Sequence, residues 1–234
     1  MTPTEAAEAT AIGFRHFHDQ LAALKDRLQA MATRSEQLIE LAVVGLLTRN
    51  QDKAEQVIVG DHELNQMEIE VEQLAIELLA LQQPLARDLR FIIGAIKVSS
   101  DLERIGDHAV NIAQSSLRLI TQHTVLIPDP EIEEMARRSR KMLSEALRSF
   151  VTEDGTLGRD VCQQDDAVDA LHNSVFRILL THMLADARTI NTSLELLLVS
   201  RNLERVADLA TNIAEDAVYL AEGKQIKHHF DGKH

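Results

Sequence analysis

The chain has 234 residues and a formal net charge of −13, from 37 acidic against 24 basic side chains; that balance disfavours a nucleic-acid partner and suits cations or a basic patch on another protein. Apolar residues make up 45%, enough for a sizeable core, while aromatics are only 3% beside 9 Gly and 4 Pro, a composition poor in strand and turn formers that reads as nearly all helix. The single cysteine, Cys162, excludes an internal disulfide and fits a reducing compartment; the acidic start, Met1 to Thr10, lacks a signal pattern, and no run of about 18 apolar residues offers a membrane span.

The first helix is expected over Phe14 to Arg49, with Phe14, Phe17, Leu21, Leu24, Leu28, Met31, Leu38, Leu41 and Leu46 on one face at spacings of three and four. Asn50 to Asp52 breaks it and caps a second, Asp52 to Gln82, with the stripe Val57, Leu64, Met67, Val71, Leu74, Leu78 and Leu81. Pro84 stops that helix and suits the first turn of a third, Leu85 to His123, about 58 Å long at 1.5 Å per residue. Val125 to Pro130, with two prolines, reads as a linker. A fourth helix follows from Glu131 to Val151, then a turn from Glu153 to Gly158. A fifth, Arg159 to Ala185, turns near Asp186 to Arg188 into a sixth, Ile190 to Ala221, which ends at Gly223, placed for a left-handed cap. The fold is therefore all-α: six helices as two tandem antiparallel three-helix bundles, residues 1–124 and 131–222, with a linker at 125–130 and a polar tail at 223–234.

The halves are copies. Leu102-Glu103-Arg104-Ile105-Gly106-Asp107 returns as Leu203-Glu204-Arg205-Val206-Ala207-Asp208, and Asn111-Ile112-Ala113 as Asn212-Ile213-Ala214, both at an offset of 101 residues. Asp61-x-x-x-Asn65 in the second helix matches Asp165-x-x-x-Asp169 in the fifth at an offset of 104. Within each motif the polar pair shares one helix face. Asp61 and Asn65 lie as far before Pro84 as Asp107 and Glu103 lie after it. Asp165 and Asp169 are placed likewise against Asp208 and Glu204 about the turn at 186–187. In a tight antiparallel pair, positions equidistant from the turn stand level, so each hairpin sets two acidic motifs side by side.

Oxygen atoms converging from two helices form a hard-ligand set, suited to a divalent or trivalent ion; the sequence does not distinguish Mg, Mn, Fe, Ca or Zn. Gly106 and Ala207 leave room for a close neighbour beside the acids, and Arg104 and Arg205 are placed to neutralise carboxylates without a metal. A carboxylate storage protein or oxidoreductase is the enzymatic alternative, but the Glu-x-x-His of di-iron bundles does not occur, nor does a Gly-rich phosphate loop or a nucleophile elbow. Cys162 reads as an incidental thiol, and the sequence makes no case for catalysis.

At these residues the chain resembles the PhoU family of phosphate-specific transport accessory proteins. In the first half the likeness rests on Gln82-Gln83-Pro84, Asp88-Leu89-Arg90-Phe91 and the motif from Leu102 to His108; in the second, on Arg188-Thr189-Ile190, Leu203 to Asp208, and Asn212-Ile213-Ala214. The resemblance implies two three-helix bundles with one metal cluster each: Asp61, Glu103 and Asp107, with Asn65 in place of an acid, and Asp165, Asp169, Glu204 and Asp208. It also implies a cytoplasmic, non-enzymatic homodimer. Such a protein restrains phosphate uptake and the phosphate-starvation response, acting between the phosphate ABC transporter's ATPase subunit and a sensor histidine kinase.

Overall fold

The structure, a computed structural model, describes residues 3–82, 84, 86–121 and 130–226, with side chains from residue 17 onward, Gln82 apart. Its helices are α1 (Pro3–Leu47), α2 (Gln51–Gln82), α3 (Ala86–Thr121), α4 (Pro130–Thr152), α5 (Gly155–Cys162), α6 (Asp165–Ala185) and α7 (Ile190–Glu222), with a 3-10 turn at Ala187–Thr189. Six rods result, the fifth divided into α5 and α6; among the described residues there is no strand. Residues 122–129, which hold most of the expected linker, and 227–234 of the expected tail lie outside the described residues, as does the side chain of Phe14.

Three local expectations need correction. Helix α1 begins at Pro3, well before Phe14. The added stretch is rich in Glu and Ala, strong helix formers that carry no stripe of large apolar residues to read. The expected turn at Glu153 to Gly158 is instead the start of α5. Asp154 caps it, its Oδ1 accepting from the amides of Thr156 and Leu157 at 3.0 and 3.1 Å. Gly158 is there for packing: a Cβ on it would stand 2.8 Å from the Ala214 carbonyl of α7. Leu81, assigned to the buried face of α2, is 67% exposed; the buried stripe ends at Leu78. The cap at Gly223 is left-handed as expected, with φ 70°.

Each half closes as three packed rods. Antiparallel α1 and α2 are clasped by Arg27 to Glu70 and by Arg34 to Glu63 at 2.9 Å. Helix α3 lies parallel to α1: the Lys25 ammonium is 4.9 Å from the Phe91 ring centre, and the Arg49 guanidinium donates to the Leu119 carbonyl at 3.3 Å. In the second half α4, α5 and α6 pack on α7, and the Ser139 hydroxyl lies 2.9 Å from the Leu203 carbonyl.

The halves join along α3 and α7, which run antiparallel. Lys97 meets Asp216 at 3.3 Å, the His108 ring lies 2.9 Å from the Asn202 amide oxygen, and Arg118 meets Glu195 at 2.7 Å, so α7 numbers fall as α3 numbers rise. Leu102, Ile105 and Ile112 of α3 and Leu203, Val206 and Ile213 of α7 are all fully buried in one apolar cluster that spans both halves. A shared core of this kind makes the two repeats one folding unit rather than beads on a string.

Candidate metal centre

The two hairpins bring the acidic motifs level, as the turn positions demand. In the first, Gly106 on α3 faces Asp61 and Leu64 on α2 so closely that a Cβ there would stand 2.8 Å from Asp61 Oδ1 and 2.5 Å from Leu64 Cδ2. The missing side chain makes the seat for the carboxylate. Asn65 donates from Nδ2 to Asp61 Oδ2 at 3.2 Å, orienting the acid from one turn away. Asp61 is buried, Asn65 and Glu103 are half-buried, and Asp107 is exposed.

In the second hairpin, one ligand oxygen from each of Asp169, Glu204 and Asp208 lies within 4.8 Å of the other two. Among the described residues no other trio of acidic, histidine or cysteine side chains converges as closely. Asp165 stands beside Asp208 and Thr211, one turn from Asp169, and the Thr211 hydroxyl donates to the Ala207 carbonyl at 3.1 Å. The break between α5 and α6 comes just before it: Gln164 bonds back to the Val161 carbonyl at 2.9 Å, a tightened turn, and leaves Asp165 and Asp166 in the first turn of α6. Carboxylates are favoured at that end of a helix dipole.

Electrostatics show how strained these acids are without a counter-charge. Burial, then the charges of Asp107, Glu68 and Asp61, push Glu103 up to about 7. Burial, then Asp208 and Asp169, push Asp165 up to about 6. Asp61 is raised as well, by burial and then by Asp107. Desolvation and like charge both disfavour the ionised form, and a cation relieves both.

The arginines share the task unequally. Arg205 pairs with Asp208 at 2.8 Å and Glu204 at 3.7 Å, whereas Arg104 turns to Asp101 at 3.5 Å and leaves the first cluster with less direct compensation.

The residues fit a hard cation. Asp61 Oδ1, Asn65 Oδ1 and Asp165 Oδ1 are buried acceptors without a hydrogen-bond donor, and all three belong to the expected ligand set. Orphaned acceptors are costly in a folded interior, and a metal supplies what they lack.

Glu68 was not among the expected ligands. It lies half-buried on α2 one turn beyond Asn65, raised by burial and then by Glu72. The signal was its place on the Asp61–Asn65 face, but the repeat hides it: its counterpart is His172, whose Nδ1 lies 3.0 Å from the Ser200 hydroxyl. Thr211 was missed for the same reason, since its counterpart is Val110. Cys162 is half-buried, and burial followed by Glu215 pushes its thiol up to about 11, which leaves it unreactive.

Among the described residues no helix is long and apolar enough to cross a membrane. A family model described as PhoU domain matches residues 28–116 and again 132–217. The chain is 34% identical to the phosphate-specific transport system accessory protein PhoU homolog of Zymomonas mobilis, over 97% of this chain and 96% of that one. It is 38% identical to the homolog of the same description in Aquifex aeolicus, over 89% and 94%. The crystal structure of PhoU from Pseudomonas aeruginosa superposes with a TM-score of 0.86 at 35% identity, covering 89% of this chain and all of that one. The phosphate transport system regulatory protein PhoU from Streptococcus pneumoniae gives 0.83 at 28% identity, over 90% and 99%. With two matched domains on two duplicated bundles, the chain belongs to the PhoU family.

Proposed function

We propose that this protein is a metal-loaded regulatory adaptor of phosphate homeostasis: a cytoplasmic, homodimeric negative regulator of phosphate uptake and of the phosphate-starvation response, acting between the phosphate ABC transporter's ATPase subunit and a sensor histidine kinase. Family membership supports the regulatory role. The observation that carries the metal is the pair of level carboxylate clusters whose buried oxygens Asp61 Oδ1, Asn65 Oδ1 and Asp165 Oδ1 lack donors. In the second cluster Asp169, Glu204 and Asp208 hold the ion, with Asp165 beside them; in the first, Asp61, Asn65, Glu103 and Asp107 hold it, with Glu68 at the edge. The cation offsets like charge across each hairpin and fixes the acidic face that a partner's basic surface meets.

Elemental analysis of the purified protein and of Glu204→Gln/Asp208→Asn, paired with capture of the transporter ATPase, tests this. Bound metal in the parent, its loss from the second cluster in the variant and weakened capture are expected. Metal-free parent protein after purification without chelator, or unaltered capture by the variant, would refute the reading. Substrate turnover by the metal-loaded protein would instead favour a carboxylate-metal enzyme.

A further inference from the structure

We infer that the furrow between α3 and α7 binds a small inorganic phosphate anion, in the stretch that adjoins the second carboxylate cluster but is not lined by it. Two adjoining cavities of about 370 and 330 Å³ share His108 and Arg205 along the seam between the halves; the second is lined also by Asp165 and Asp208 of the carboxylate cluster, so the anion is placed in the first. The first is walled by Arg118, Arg201, Arg205, His108, Asn111 and Asn202, together with Ser115 and Leu198, and has no acidic side chain in its lining. In a chain of net charge −13 this is a concentration of cations and neutral hydrogen-bond donors. Planar guanidinium groups bind phosphate oxygens with two parallel hydrogen bonds each, which gives geometry as well as charge. The volume exceeds that of one phosphate group and admits a short condensed chain.

The repeat itself supplies a control. Because α3 and α7 are continuous helices related by an offset of 101, every furrow residue has an equivalent on the other side of the seam. Arg201 answers to Ser100, Arg118 to Tyr219, and His108 to Leu209; Asn202 and Ser115 answer to Asp101 and Asp216. Leu198 and Arg205 answer to Lys97 and Arg104, so the other side holds cations too, but there they stand with Asp101 and Asp216, Asp216 being paired with Lys97, whereas the furrow gains Arg118, Arg201 and His108 and has no acid at those positions. Helix packing alone asks for no such excess of cations at equivalent positions, and an anionic ligand on the furrow side does.

The furrow cations are not all committed. Arg118 is held by Glu195 and by the Ser115 hydroxyl at 3.0 Å, and Arg205 by Asp208, which fixes both heads at the furrow wall. Arg201 is exposed on α7 between them. It is the residue most available to a ligand.

Calorimetric titration of the full-length, chelator-dialysed protein with inorganic phosphate, and separately with pyrophosphate, tests the site. Binding that weakens with salt is expected, with pyrophosphate the tighter of the two. Arg201→Ser, which installs the residue of the equivalent position, should weaken it by about tenfold, the loss of one charge-assisted contact. Arg177→Ser on the exposed face of α6 should leave it unchanged, and circular dichroism should match across all three proteins. The proposal is overturned if neither anion binds at millimolar concentration, if Arg201→Ser binds as the parent does, or if binding appears only after metal is restored, which would assign the anion to the carboxylate-held ion. Absence of metal from the purified protein would sink the metal reading and leave this titration untouched.

Discussion

The seat of Asp61 can be tested by filling it. In Gly106→Ala a new Cβ meets Asp61 Oδ1 at 2.8 Å and Leu64 Cδ2 at 2.5 Å, both too short for real contacts. Helix propensity alone would favour alanine at a mid-helix glycine by about 1 kcal/mol. Overpacking a filled site costs about 1–3 kcal/mol. Leu64 is fully buried and has little room to yield, so the second effect wins and the net loss is roughly 0–2 kcal/mol. For a domain of this size that lowers Tm by about 0–8 °C. The larger effect falls on the cluster. Asp61 is the softer neighbour, a short side chain held by one hydrogen bond from Asn65, and turning it away removes a ligand oxygen from beside Glu103. First-cluster metal affinity should fall by roughly 10–100-fold, the range for a disturbed ligand shell. Thermal melts with and without chelator, alongside metal content per chain, separate the two effects. A rise of several degrees with unchanged metal content would show that alanine fits as Ala207 does in the other repeat, and that Asp61 is not seated against α3.

Asp165→Asn should stabilise the metal-free protein at pH 8 by roughly 1–2 kcal/mol, after discounting the carboxylate's raised pKa for its part exposure, while lowering second-cluster metal content; chemical denaturation paired with elemental analysis reads both, and a destabilised variant counts against the repulsion argument. Metal-free protein should lose stability as pH rises. The folded carboxyls of Asp165 and Glu103 keep their protons up to about 6 and 7, against ordinary values of 3.8 and 4.5, so the protonated fold's advantage is full at acid pH and is lost as pH climbs through those values. A Tm that rises from pH 5 to pH 8 without metal would contradict this. Metal affinity should move the opposite way, weakening from pH 8 to pH 6 as protons compete for the same oxygens, measured by competition with a metal-responsive dye. Ser139→Ala should cost about 1 kcal/mol in denaturant melts, because its buried hydroxyl lies against backbone carbonyls of both α4 and α7; no loss would mean the hydroxyl is energetically idle.

Much of the architecture was written in the chain. Helix periodicity and capping are local properties, so the stripe of α1 and the left-handed stop at Gly223 could be read without coordinates. The levels of the acids followed from counting outward from Pro84 and from the turn at 186–187, because an antiparallel hairpin fixes height by distance from its turn. Height is not orientation, however. That Asp169, Glu204 and Asp208 point to one spot while Arg104 turns aside to Asp101 depends on how each rod is rotated about its axis, and that is set by side-chain packing across the bundle. Glu68 and Thr211 escaped because the repeat was the guide and they break it. The glycines at 155 and 158 read as a turn because glycine has two uses, and only the nearness of α7 shows which applies. The α3/α7 seam lay wholly beyond the sequence: periodicity marks a buried face without naming the helix that covers it. Tertiary packing alone brings Arg118 and Arg201, 83 positions apart, to the wall of one furrow.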